Sequence, residues 1–149
     1  MSNLGLYAAA IQARLQEKQG QPGYVLNDVV ILTEDALELE TQISKALGEV
    51  GMMILIGTPE LDNTTAEKTV ANMKVQSDLA VGEVPTLWRG DGKPTCTEVT
   101  AEVIARLQGF RVSGFQPLAV LRGGSVPDKK RQIYSLTIGS QMIVHPTGP

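Results

Sequence analysis

Between Ala71 and Val81, apolar and polar side chains alternate almost without a break. Ala71, Met73, Val75, Leu79 and Val81 fall in one register, and Asn72, Lys74, Gln76 and Asp78 fall in the other. Only Ser77 interrupts the apolar row. Side chains along a strand point to opposite faces at period two, so this stretch predicts a strand with one dry and one wet face. The pattern recurs near the end of the chain, where Tyr134, Leu136, Ile138, Met142 and Val144 alternate with Ser135, Thr137 and Gln141. Both strands exceed the usual length of about five or six residues. A chain carrying two such strands must build a sheet and find helices to cover its dry face.

Those helices are legible. From Asn3 to about Lys18, Tyr7, Ala8, Ile11 and Leu15 recur at helical spacing, and "GQPGY" stops the run. "DVVILT" (Asp28 to Thr33) reads as a short strand. Thr33 is expected to cap a second helix with the stripe Ala36, Leu39, Ile43, Ala46 and Leu47, ended by Gly48 and Gly51. "MMILIG" (Met52 to Gly57) is almost wholly apolar, as in a strand covered on both faces. Thr58 to Thr69 reads as a polar surface loop. Val99, Val103, Ile104 and Leu107 mark a third helix, "PLAVLR" (Pro117 to Arg122) a strand, and "GGSVPDKK" (Gly123 to Lys130) a turn-rich connection. The expectation is an α/β (α+β) fold. It has a mixed, largely antiparallel sheet with about three helices packed on it and long β-strands, in a single domain over residues 1–149.

Composition narrows the function classes. A net charge of −3 argues against a general nucleic-acid binder, although it leaves room for a local basic patch. One Cys excludes an intramolecular disulfide and a Cys-built zinc site. The N-terminal stretch lacks the basic and apolar regions of a signal peptide, and no apolar run reaches bilayer length, so a soluble protein of a reducing cytosol with no membrane contact is expected.

The stretch "VPTLWRGDGKPTCTEVTAEVIARLQGF", Val84 to Phe110, concentrates the residues that resemble chemistry. Gly92-Lys93 precedes a helix, as in a phosphate-binding loop, but Leu87 stands where the first Gly is needed and Pro94 where the metal-binding hydroxyl is needed. Thr95 and Glu98 have the spacing of a capping box, which makes the stretch a strand-to-helix corner. Arg89-Gly90-Asp91 matches an adhesion triplet, and nothing else in the chain suggests an extracellular ligand. Cys96 sits where a helix dipole could activate a thiol, or is simply a small half-buried residue. His145, the only His, lies in the tail beside Pro146, a poor place to hold a general base. No catalytic residue, cofactor or metal ligand set emerges, and the chain does not read as an enzyme. The remaining charged feature is Lys129, Lys130 and Arg131, adjacent between the last two strands. They are candidates to contact a phosphate backbone or an acidic partner, or they form a solvated turn that discourages edge pairing.

The element order and two stretches, "VVILTEDALELETQISKALGEVGMMILIG" and "DLAVGEVPTLWRG" running on to "PTCTEVTAEVIARLQGF", resemble the tail-terminator and minor-tail proteins of tailed bacteriophages and tail-like particles. In such proteins a strand closes in a Glu-x-Pro-like turn before a helix that packs back on the sheet, matched here by Glu83, Val84 and Pro85. The resemblance implies a structural virion protein of the tail or neck, made in the host bacterial cytoplasm. It would form a homo-oligomeric ring, commonly sixfold, that caps the tail tube and meets the head connector. Its partners would be its own copies, the tube protein, the connector and, in passing, DNA at a lumen reached by Lys129, Lys130 and Arg131. A head-tail connector or completion protein and a monomeric cytosolic binding domain remain alternatives.

Overall fold

The computed structural model describes residues 3–63, 71–90 and 92–144. Helix α1 (Asn3–Gln16) leads to strand β1 (Val30–Thr33), helix α2 (Leu39–Lys45) continuing as a π turn (Ala46–Val50), and strand β2 (Met52–Ile56). Strands β3 (Glu60–Asn63) and β4 (Ala71–Glu83) follow, then the short helix α3 (Pro85–Trp88), helix α4 (Cys96–Leu107), and strands β5 (Ala119–Val126) and β6 (Gln132–Val144). The sheet order is β1–β2–β4–β6–β5, with β3 also on β4. Only β1 and β2 run parallel, joined by α2 as a parallel pair requires; the other pairings are antiparallel.

The two alternating stretches pair with each other along their whole length, from Ala71 opposite Val144 to Glu83 opposite Gln132. Their dry faces (Val75, Leu79 and Val81; Leu136 and Ile138) join α1 (Tyr7, Ile11, Leu15) and α4 (Val99, Val103, Leu107) in the main core. Crosswise hydrogen bonds tie the two helices together: Arg14 Nε donates to the Arg106 carbonyl at 3.1 Å, and Arg106 Nη2 to the Arg14 carbonyl at 2.9 Å. On the opposite face α2 and its π turn cover β1, β2 and the Gly82 end of β4, through a smaller cluster of Leu32, Ala46 and Met53 flanked by Leu39, Ile43 and Leu47. The apolar run of β2 is explained by this, because its alternate residues feed the two cores. Farther along the sheet no helix among the described residues covers that face, and Lys74 and Asp78 are exposed on it.

Four boundaries differ from expectation. Thr33 does not cap α2: it ends β1, Ala36 N–H closes a turn onto its carbonyl, and the helix starts only at Leu39 after Glu38 in a left-handed conformation (φ 54°). Gly48 does not stop the helix, which runs through it to Gly51. The supposed loop after Thr58 contains β3, whose four residues pair with Met73–Gln76; residues 64–70 lie outside the described ones. β2 and β3 share one side of β4, and the chain steps between them at Gly57, where a Cβ would lie 2.7 Å from the Asp78 carbonyl oxygen. Finally, β5 extends through Gly123–Val126, so the hairpin connection is only residues 127–131.

Candidate functional site

The corner after β4 is built around a buried carboxylate. Glu83 is 0% exposed. Arg89 grips it with two hydrogen bonds, Nε to Oε2 at 3.0 Å and Nη2 to Oε1 at 3.2 Å, and also donates to Gln132 Oε1 at 3.1 Å. The Cys96 backbone N–H, in the first turn of α4, donates to Glu83 Oε1 at 3.3 Å. One carboxylate thus gathers the ends of β4, α3 and β6 and the start of α4. Its charge is met by a bidentate cation and a helix N-terminus.

Around it the apparent motifs resolve into packing. Thr95 and Glu98 form reciprocal cap hydrogen bonds, Glu98 N–H to Thr95 Oγ1 at 3.2 Å and Thr95 N–H to Glu98 Oε1 at 3.3 Å. The Lys93 ammonium lies 4.5 Å over the Trp88 ring and 3.2 Å from Asp28 Oδ2, turned away from any phosphate cradle. Trp88 is buried and donates its indole N–H to the Pro94 carbonyl at 2.7 Å. The Arg of the adhesion triplet is the one held by Glu83, and Asp91 lies outside the described residues. Cys96 is fully rather than half buried, with its thiol facing the Val81 and Gln132 carbonyls. Burial, and then the Glu83 charge, push its pKa up, opposite to the lowering that a helix dipole alone would produce. A thiol held protonated is a poor nucleophile. His145 lies outside the described residues. Among the described residues no group of three or more His, Cys, Asp or Glu is placed to hold a metal, and no helix is long and apolar enough to cross a membrane.

A small polar cleft of about 160 Å³ on the wet face contains Glu34, Asp78 and Arg122, but its groups bond mainly to one another. Glu34 Oε1 accepts from Thr58 N–H at 2.7 Å, and Asp78 Oδ1 from Thr137 Oγ1 at 2.9 Å.

The hairpin connection is different. Asp128 Oδ1 accepts from the backbone N–H groups of Lys130 (2.9 Å) and Arg131 (3.1 Å), which fixes the turn, while Lys129, Lys130 and Arg131 are exposed. None of the three pairs with a carboxylate among the described residues. Lys130 and Arg131 border a groove of about 410 Å³ floored by Ile43, Leu47 and Val84, on the face that α2 covers.

No protein-family model matches the chain, and no curated protein matches it. Its fold has a solved counterpart. The fold resembles that of a virion chain. The neighbour comes from the virion of a native gene transfer agent (GTA) particle, at 15% sequence identity and a TM-score of 0.59. The match spans 92% of this chain and 98% of that one, so the likeness covers nearly the whole fold of both. At this identity it is a likeness of fold.

Proposed function

We propose that the protein is a non-catalytic structural subunit of a phage-like virion, acting as one domain in the tail or neck. It assembles with its own copies into a ring, sixfold in the simplest case, that terminates the tail tube and meets the head connector. The observation that carries this reading is the near end-to-end likeness to a GTA virion chain, joined to the element order that resembles tail terminators. The site chemistry agrees with it. The most distinctive buried group, Glu83, is consumed in holding a corner, and the one cysteine is kept protonated. The free charges, Lys129, Lys130 and Arg131, are instead presented at a surface, as candidate contacts with a neighbouring subunit or with DNA in a lumen.

A ring needs two different complementary faces on each subunit. Sedimentation of the purified protein over a wide concentration range, with electron microscopy of the peak, is the test. A discrete closed oligomer that stops tube growth when added to polymerising tube protein is the expected result. A species that stays monomeric and leaves tube length unchanged refutes the reading.

A further inference from the structure

Among the described residues, one exposed side chain stands apart from the other surface apolar residues. Leu37 is 86% exposed, while Leu6, Leu61, Leu87, Leu121 and Val126 all lie at 49% or below. It does not sit on a loose segment. Its carbonyl accepts a hydrogen bond from Gln42 Nε2 at 2.6 Å, and Gln42 N–H donates to the Glu38 carbonyl at 3.0 Å. Glu38 itself adopts a left-handed conformation (φ 54°), unfavourable for a residue with a side chain. Exposed Asp35, Glu38 and Glu40 flank Leu37 in sequence. The β1–α2 turn therefore presents a fixed apolar knob in an acidic setting.

The groove beside the hairpin has the complementary character: an apolar floor of Ile43, Leu47 and Val84, with Lys130 and Arg131 at the rim. Leu37 precedes the first turn of α2, and the helical part of the groove, Ile43 and Leu47, begins about 9 Å farther along at helical rise. Leu37 does not line the groove of its own chain and stays exposed, so a contact between knob and groove needs a second copy.

We infer that Leu37 and its flanking carboxylates dock into the Ile43/Leu47/Val84 groove of a second copy of this chain, with Lys130 and Arg131 meeting the acidic turn. This rests on the proposed ring and names its contact. The contact is heterologous, using two different patches of the chain, so repetition closes a ring or extends a filament. Like-charge repulsion disfavours knob against knob, and the opposite charges set the direction of assembly.

The test uses two full-length variants, each confirmed to be folded by its circular dichroism and melting curve. Leu37→Ser disables the knob, and Lys130→Glu with Arg131→Glu disables the groove. Burying a leucine is worth a factor of roughly ten to a hundred in affinity, so Leu37→Ser should weaken self-association by about that much. Each variant alone should sediment as a monomer at concentrations where the unmodified protein assembles. Mixed in equal amounts, they should form a dimer and nothing larger, because only one intact knob-groove pair exists between them. If both variants assemble like the unmodified protein, this contact is wrong while the ring stands. If both are monomeric and the mixture stays monomeric, the two patches are not partners and the inference fails. If the charge reversal leaves assembly intact but abolishes retention of a DNA fragment, the cations face nucleic acid and the inference also fails. If the unmodified protein never assembles, alone or on tail tubes, the ring and its contact fall together.

Discussion

Substituting Gly51 by Ala should measure how firmly the corner is packed. Gly51 has φ 93°, and a Cβ there would lie 2.9 Å from the Trp88 backbone nitrogen and 3.0 Å from the Trp88 Cβ. The Gly51 N–H also donates to the Ala46 carbonyl at 2.7 Å, and its carbonyl accepts from Val84 N–H at 2.8 Å, so the residue has little freedom to move. The left-handed backbone costs Ala about 1–2 kcal/mol. Forcing the α3 backbone aside adds about 1–3 kcal/mol, as overpacking does elsewhere. The stiffer unfolded chain returns about 0.4–1 kcal/mol. The net loss is about 1.5–4 kcal/mol, or roughly 5–13 °C in melting temperature for a chain of this length. Gly109→Ala is the control. Gly109 has φ 80° with nothing within 4 Å of a Cβ, so it carries the backbone cost alone and should lose about 1 kcal/mol or less. Paired urea denaturation curves give the difference, which isolates the contact with Trp88. Equal losses at the two positions would refute a tight approach of Trp88 to Gly51.

Other outcomes follow from single groups. Thr95→Ala should cost about 1 kcal/mol by removing the acceptor for Glu98 N–H, read in the same denaturation assay, and Thr95→Ser should restore most of it. Tyr7 is buried, and desolvation pushes its pKa from 10.0 to about 12. Below pH 10 both folded and unfolded chains keep that proton; between pH 10 and about 12 only the folded chain does. This group's contribution therefore falls by about 1.4 kcal/mol per pH unit across that window. Tyr7→Phe should flatten that part of the stability–pH curve, and an unchanged slope would count against the burial argument. Cys96, with its pKa raised, should react with a thiol probe far more slowly in the folded than in the unfolded protein at pH 8, accelerating as pH rises. Labelling at pH 7 as fast as in the unfolded chain would contradict the buried, protonated thiol.

Local rules made much of the architecture legible. β4 and β6 announce themselves because each has one dry and one wet face, and the period-two signal survives even Ser77 in the core row. The α4 cap was readable because a capping box involves residues only three apart. What escaped is what tertiary pairing decides. β3 has no apolar pattern and exists because β4 is longer than β2 and leaves open edge to fill. The four residues of α3 are set by the Val84–Gly51 hydrogen bond and by Trp88 packing, neither visible in spacing. At Thr33 the cap preference lost to β1, since the next residue, Glu34, still donates its N–H to the Ile56 carbonyl. Of the two readings of Cys96, the inert one fits the structure: a helix start suggests activation, whereas burial and Glu83 act in the opposite direction. Leu37 left a faint signal: it falls off the stripe of Leu39, Ile43, Ala46 and Leu47, which foreshadows its outward position but not what it meets.

A knob as small as one leucine is enough for a ring only because rings close. A single apolar anchor with a few charges makes a weak pairwise contact, well short of the area that specific stable interfaces bury. On the proposed reading, each subunit makes the contact twice, and the last contact to form is intramolecular, governed by an effective concentration rather than by free subunit. Assembly should then be cooperative: open intermediates are scarce, and weakening every contact tenfold removes the ring altogether rather than thinning it in proportion. The same logic favours a knob and a groove floor that both rest on α2 and its π turn. α2 and its π turn are seated on β1 and β2 through Leu32, Ala46 and Met53, so the angle between knob and groove is set by a packed core rather than by a hinge. A heterologous contact closes only if that angle repeats faithfully from copy to copy. Loosening the seat, for instance by Met53→Ala, should therefore broaden the range of oligomers before it abolishes the pairwise contact.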